Sequence, residues 1–159
     1  QGQCRLFRHD QYRMAAQVLH CRLCARVEIH KVMRDWLAIP YLDFGRDEKG
    51  ADCWGLVRLA RSSLRGDDLP EFAWIPPGDK LALTGAAREV IAAGWRISQP
   101  IPASIATVWR FSLMIHVGIV VAVDGMLGVL DTTRQTGPRW QRIFDFERRC
   151  PKVVYYDAD

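Results

Sequence analysis

The sequence lacks several features that would place it in a special class of protein. It contains no run of 18 or more uncharged apolar residues, so it predicts no membrane-spanning helix. It has no internal repeat and no low-complexity tract. Its basic residues form no recognised nucleic-acid recognition motif, which argues against a nucleic-acid partner.

What is present is typical of a globular domain. The chain has 159 residues, enough to bury a sizeable core. Hydrophobic residues make up 49% and charged residues 25%, which are ordinary values for an ordered protein. The net charge of +4 fits a mildly basic surface, or an anionic partner such as a cell-wall polymer.

The most informative stretch is Gly50-Ala51-Asp52-Cys53-Trp54-Gly55-Leu56-Val57. Apolar residues continue from it at helical spacing, so a helix is predicted to begin here with Asp52 as its N-cap. Cys53 then lies in the first turn, where the helix dipole favours a thiolate and makes the sulfur nucleophilic. A nucleophile also needs a base, and the best candidate is His116 at the start of a β-branched, apolar run that predicts a strand.

Three motifs together resemble the NlpC-type family of bacterial and phage cell-wall cysteine peptidases. They are Trp36-Leu37-Ala38-Ile39-Pro40-Tyr41, the Cys53 stretch, and His116-Val117-Gly118-Ile119-Val120, in the order that the family has them. The resemblance covers residues 34–157. A Trp rather than a Ser after the cysteine is similar to the phage-tail branch of the family.

The resemblance implies an α+β fold with a papain-like core, in which N-terminal helices pack on an antiparallel sheet of five or six strands. The sequence agrees with this fold class, because the predicted helices come early and the strands follow from Ile105 onward. We expect a domain over residues 34–159, preceded by a helical extension over residues 1–33.

The function that the resemblance implies is a cysteine endopeptidase that hydrolyses peptide bonds in the stem peptides of peptidoglycan. Such an enzyme needs no cofactor and no metal. Cys53 would attack the carbonyl carbon while His116 moves the proton, and Tyr41, Asp52 and Trp54 are assigned to the substrate and oxyanion site. The implied location is a virion tail tip or the bacterial cell envelope, with other tail-tip proteins as partners.

The residue that orients His116 is open between two positions. Matching the family pattern puts Gly128 at this place, and glycine has no side chain to offer. Alternatively, Asp124-Gly125 predicts a two-residue hairpin turn that pairs Val123 with Met126. In that register Asp131 lies one diagonal step from His116 and could orient it as the third catalytic residue.

This ambiguity keeps a second hypothesis open. The same fold could serve as a structural component of a phage tail tip, with weak catalysis or none. An acyltransferase would use the same cysteine chemistry, and nothing in the sequence separates it from a hydrolase.

The N-terminal segment is predicted to contribute no catalytic residue. Apolar residues recur every three or four positions over residues 10–36 and predict one amphipathic helix of about 25 residues. With Cys53 set aside as the nucleophile, four cysteines remain: Cys4, Cys21, Cys24 and Cys150. Buried thiols, two disulfides, or a metal or iron–sulfur site that includes Cys21 and Cys24 all stay open for them.

Overall fold

The computed structural model describes residues 29–158 with the exception of Pro77. Contacts divide the chain into two units, residues 1–34 and residues 35–159. The predicted N-terminal extension, with its long helix and Cys4, Cys21 and Cys24, lies almost wholly outside the described residues and stays a prediction. In the part of the chain that the structure describes, no helix has the length and apolar character to cross a membrane.

Four helices and eight strands are found in the described residues. Helix α1 covers residues 29–38, and two short strands, β1 (Arg46–Asp47) and β2 (Gly50–Ala51), pair as a small antiparallel ribbon. The remaining elements are α2 (Cys53–Arg65), α3 (Lys80–Ala92), β3 (Arg96–Ser98), β4 (Ile105–Arg110), β5 (Leu113–Val123), β6 (Met126–Thr133), β7 (Gly137–Arg142), α4 (Ile143–Arg149) and β8 (Val153–Asp157).

The main sheet has six strands in the order β3-β8-β4-β5-β6-β7, and each neighbouring pair is antiparallel. The predicted α+β class and the antiparallel sheet of five or six strands are therefore confirmed. Strands β5 and β6 form the predicted hairpin, with Val123 opposite Met126 and Ile119 opposite Leu130. Its turn residues Asp124 and Gly125 both have positive φ, of 52° and 80°, as a two-residue hairpin turn requires.

The sheet is covered on both faces. Helices α2 and α3 lie against β5 on the face that carries Thr107 and Val117. On the opposite face Phe146 of α4 is fully buried in a cluster with Val108, Val120, Val129 and Tyr155. Successive side chains of a strand point to opposite faces, so one sheet packs against α2 and α3 on one face and against α4 on the other.

Some local predictions were wrong. The local sequence pattern predicts Thr84 as the N-cap of this helix, but α3 begins earlier, at Lys80, and the side chain of Asp79 caps it through the amide of Ala82 at 2.9 Å. Thr84 is inside the helix, where its hydroxyl donates to the Lys80 carbonyl and accepts from the Met114 amide. Pro100-Ile101-Pro102 predicts a connector, and no strand is predicted in residues 95–99 before it, yet Arg96–Ser98 forms the edge strand β3.

A buried arginine joins distant parts of the domain. Arg61 of α2 is 1% exposed, and its guanidinium contacts Asp67 at 2.6 Å, Asp157 at 2.8 Å and the carbonyl oxygen of Ala103 at 2.6 Å. It also lies 4.4 Å from the centre of the Trp95 ring. The charge is thus compensated on several sides, which makes its burial tolerable.

Replacing Arg61 with Met should lower the free energy of unfolding by about 2–4 kcal/mol, because two carboxylates and a carbonyl lose a buried partner. Urea denaturation would measure the change. Arg65→Met is the matched control: Arg65 is 34% exposed and also contacts Asp157, so its loss should cost less than about 1 kcal/mol. Equal effects of the two substitutions would contradict this account.

Candidate active site

The start of α2 is fixed by its predicted N-cap. Asp52 has extended backbone angles, and its Oδ1 accepts the Gly55 amide at 2.8 Å. Its Oδ2 pairs with Nη1 of Arg46 at 2.6 Å. Both carboxylate oxygens of Asp52 therefore hold the helix start in place. Cys53 follows as the first helical residue, at the end where backbone amides lack partners inside the helix.

Two glycines let a loop lie directly against this helix start. A Cβ atom added at Gly55 would overlap the carbonyl oxygen of Gly45. One added at Gly45 would in turn overlap the carbonyl oxygen of Gly50. The close approach explains why glycine stands two positions after Cys53, and it limits how far the cysteine can move.

The structure brings His116 and Cys53 together. Burial alone would lower the pKa of His116, but hydrogen bonds with Asp131 and with Cys53, and the charges of both partners, raise it to about 9. The contact with Asp131 is made by Nε2 of the ring, 2.9 Å from Oδ2. Nδ1 is then the ring nitrogen left to face the thiol. This is the arrangement of a thiol and a base that acts on it.

Asp131, and not Gly128, lies beside His116. The predicted register places Asp131 opposite Gly118, where a Cβ would come within 3.2 Å of the Asp131 Cβ and 2.6 Å of Val129 Cγ1. Glycine at position 118 therefore leaves room for the carboxylate to reach the ring. Burial alone would raise the pKa of Asp131, but hydrogen bonds from His116 and Arg139 lower it overall. The carboxylate is thus favoured in its ionised form and lies where it can orient the His116 ring.

Gly128 serves another purpose. It pairs with Val121, and a Cβ added there would overlap the Trp140 ring and the carbonyl oxygen of Gln141. The Trp140 indole crosses this position and donates from Nε1 to the carbonyl oxygen of Val121 at 3.1 Å. Glycine is thus required by packing at this position.

Two site residues were missed by the sequence reading. Arg139 and Gln141 were not predicted as partners of the site. Both point from β7 to the Asp131 carboxylate, since Asp131 pairs with Arg139 and Val129 with Gln141. The period-two spacing of these polar residues on a strand was the signal that could have placed them on one face.

Tyr41 lies near the thiol but directs its proton elsewhere. Its hydroxyl donates to Asp43 Oδ1 at 3.0 Å, and Asp43 also pairs with Arg134. Burial, the hydrogen bond to Asp43 and the nearby charges of Asp43, Cys53 and Asp52 raise the pKa of Tyr41 to about 12. The phenol therefore stays protonated, and its hydroxyl hydrogen is already donated to Asp43.

Trp54 anchors the loop after α2 beside the thiol. Its indole Nε1 donates to the carbonyl oxygen of Pro70 at 2.8 Å, and its ring lies 5.7 Å from that of Phe72. One cleft runs between this loop, the start of α2 and the start of α3. It is lined by Tyr41, Arg46, Asp52, Cys53, Trp54, Phe72, Ile75, Pro76, Gly78, Asp79, Lys80 and Leu83. The three residues assigned to the substrate site all lie on it.

The described residues hold no group of three or more His, Cys, Asp or Glu side chains arranged to bind a metal ion. Cys150 is a free, half-buried thiol that packs beside the Phe146 cluster. Burial raises the pKa of the Cys150 thiol, so it is a less reactive sulfur than a nucleophile requires. The other three candidate cysteines lie outside the described residues.

No protein-family model matches the chain, and no curated protein matches it. Among solved structures, the chain is similar to the crystal structure of the NlpC/p60 domain of the peptidoglycan hydrolase SagA. The TM-score is 0.47 at 19% sequence identity, over 77% of this chain and 91% of that one.

Substituting Gly128 with Ala should destabilise the domain by about 1–3 kcal/mol, because the new methyl group must displace the Trp140 ring or the β7 backbone. Chemical denaturation measures this. Gly85→Ala is a suitable control, since a Cβ there meets nothing within 4 Å and a helix gains about 0.5–1 kcal/mol from the change. A neutral Gly128→Ala variant would show that the ring does not cross this position.

The imidazole of His116 should titrate near pH 9 in the folded protein, so that it stays protonated well above its usual 6.5. Nuclear magnetic resonance of the four histidines can follow this, with His116→Gln identifying the signal. In Asp131→Asn the midpoint should fall, because the ring loses the charge and the hydrogen bond that favour its protonated form. A wild-type midpoint at the ordinary value would contradict the contacts described above.

Proposed function

We propose that the chain is a cysteine endopeptidase that hydrolyses peptide bonds in the stem peptides of bacterial peptidoglycan. One observation carries the chemistry: a cysteine at a helix start lies close enough to a histidine to raise its pKa, and a buried carboxylate holds that histidine by Nε2. The substrate class is supported by the three motifs that resemble the NlpC-type peptidases. The net positive charge also fits an anionic wall polymer.

The reaction follows from the placement of these groups. The Cys53 sulfur attacks the scissile carbonyl carbon, and the proton held by His116 passes to the leaving amine as the carbon–nitrogen bond breaks. The product of this step is a thioester on Cys53. His116 then takes a proton from a water molecule, whose oxygen attacks the thioester, and the returning proton regenerates the thiol as the acid leaves.

The negative oxygen formed during attack needs donors beside the sulfur. The Cys53 amide is a suitable donor, because the first amides of a helix have no acceptor within the helix. Tyr41 is the second candidate, and to donate it must first release Asp43. The Asp52 carboxylate supports the site by holding the helix start. Its two oxygens are already bonded to the Gly55 amide and to Arg46, so neighbouring residues make the contacts with the substrate.

We further propose that the enzyme acts in a phage or phage-derived tail tip, or in the cell envelope after delivery. This context rests on the likeness of Cys53-Trp54-Gly55 to the phage-tail branch. The structural hypothesis, a tail component without catalysis, draws on Gly128, on the N-terminal helix that the family does not match, and on the set of further cysteines. The position of Asp131 beside His116 weighs against the first of these grounds.

The purified chain should release new amino termini from isolated peptidoglycan, and Cys53→Ala should abolish the release. Asp131→Asn should lower the rate by about a hundredfold or more, because the imidazole loses its charge partner but little volume. Product analysis by mass spectrometry would separate hydrolysis from acyl transfer to an added amine.

Cys150→Ala is the matched control, because it removes the other free thiol among the described residues and should keep the activity. Circular dichroism would establish that each variant is folded. If wild type and Cys53→Ala are equally inert on walls from several bacteria, the peptidase proposal is wrong and the structural hypothesis stands.

A further inference from the structure

Four N–H donors converge on one buried carboxylate. Asp131 is 1% exposed and accepts from Nε2 of His116 at 2.9 Å, from Nε and Nη2 of Arg139 at 3.0 and 3.2 Å, and from Nε2 of Gln141 at 3.2 Å. The donors come from two strands, β5 and β7, that flank Asp131 on β6. A single partner would suffice to orient a histidine, so the extra donors need an explanation.

The donors divide between the two oxygen atoms. Arg139 Nε and Gln141 hold Oδ1, while Arg139 Nη2 and His116 share Oδ2. The guanidinium fork therefore grips both oxygens and prevents rotation of the carboxylate about its Cβ–Cγ bond. Oδ2 stays aimed at the imidazole whether the ring is charged or neutral.

The charge of Arg139 matters as much as its geometry. A buried carboxylate whose sole cationic partner is a histidine holds that histidine protonated, because a buried charge without a counter-charge is costly. A base that never releases its proton cannot serve as the acid for a leaving amine. Arg139 keeps its charge throughout, so the carboxylate remains compensated when His116 gives its proton away.

We propose that Arg139 is a positioning residue that orients the Asp131 carboxylate and offsets its charge, so that His116 can both take and return a proton. This inference rests on the proposed function. It extends that function from the three residues of the site to a fourth on the edge strand β7. Gln141 assists through its hydrogen bond but adds no charge.

Other charged groups surround the pair and bear on its titration. Cys53 faces His116 from α2, and Lys80 from α3 donates to the Ile115 carbonyl, next to His116 in the chain. Cys150, after α4, senses the charges of Asp131, Arg139 and Arg149. Arg139 is the cation whose nitrogen atoms contact the Asp131 carboxylate directly.

The test compares Arg139→Gln, which removes the charge, with Arg139→Lys, which keeps it but loses the fork. In Arg139→Gln the midpoint of the His116 imidazole titration should rise by about one pH unit or more, because a neighbouring positive charge has been removed. In Arg139→Lys it should stay close to the wild-type value. The alkylation rate of Cys53 by iodoacetamide, followed against pH, gives a second readout that needs no peptidase activity.

On peptidoglycan, kcat should fall about tenfold or more in Arg139→Gln while KM changes little, because the imidazolium becomes a weaker acid for the leaving amine. An unchanged or lowered midpoint in Arg139→Gln would overturn the proposal. An equal rise of the His116 midpoint in Arg139→Lys would also overturn it, because loss of the positive charge would then not be the cause of the rise.

If Arg139→Gln does not fold, Gln141→Glu makes a charge change of the same sign, because it adds a negative charge beside Asp131 while Arg139 stays in place. It should raise the His116 midpoint in the same direction, and an unchanged or lowered midpoint there would also overturn the proposal. The titration and alkylation results separate this inference from the proposed function. If the chain is inert on peptidoglycan but the expected shifts are found, the role of Arg139 is supported and peptidoglycan is rejected as the substrate.

Discussion

The burial of one negative charge organises this domain. Asp131 lies on β6 between β5 and β7, shielded from water, and its carboxylate is stable there only because donors from both neighbouring strands reach it. That requirement connects β5, β6 and β7, since a shift of one residue in either pairing would turn the donors to the opposite face. The geometry of the histidine is thus a consequence of sheet register.

The nucleophile is held by a different kind of constraint. At the start of α2 the backbone of a small loop lies directly on the helix, at a distance that only Gly45 and Gly55 permit. Asp52 and Arg46 fix the first turn from one side, and the Trp54 indole ties it to the following loop from the other. Close backbone contact and short polar links therefore place the sulfur, while the sheet places the ring.

Helix α2 packs on β5 and β6, and this packing brings Cys53 beside His116. A domain retained only as a structural component has no need to orient a histidine with a buried carboxylate, because burying such a group is costly unless it is fully compensated. The compensated carboxylate, together with the glycine at position 118 that admits it, supports the proposed roles of Cys53 and His116. The same cost of burial gives Arg139 its proposed role, because its positive charge offsets the Asp131 carboxylate whether His116 is protonated or neutral.

Much of this site was determined by local sequence. The Asp52 cap, the position of Cys53 at a helix start and the Asp124-Gly125 turn each depend on residues close in the chain, and local rules predicted all three. The hairpin register followed from the turn, and it identified Asp131 as a partner of His116. These are short-range features in which backbone geometry leaves few alternatives.

Other features were decided by tertiary structure alone. Glycine is needed at position 128 because the Trp140 ring of the neighbouring strand crosses it, which only the folded sheet shows. Helix α3 begins at Lys80 because Asp79 caps it, and Thr84 lies inside the helix, where its hydroxyl accepts a hydrogen bond from the Met114 amide. Arg139 looked like one surface arginine among several until β7 paired with β6 and brought it onto a buried charge. Contacts between strands depend on the whole sheet, because a residue's partner across the ladder is set by how the chain folds back, and that information is not local to the residue.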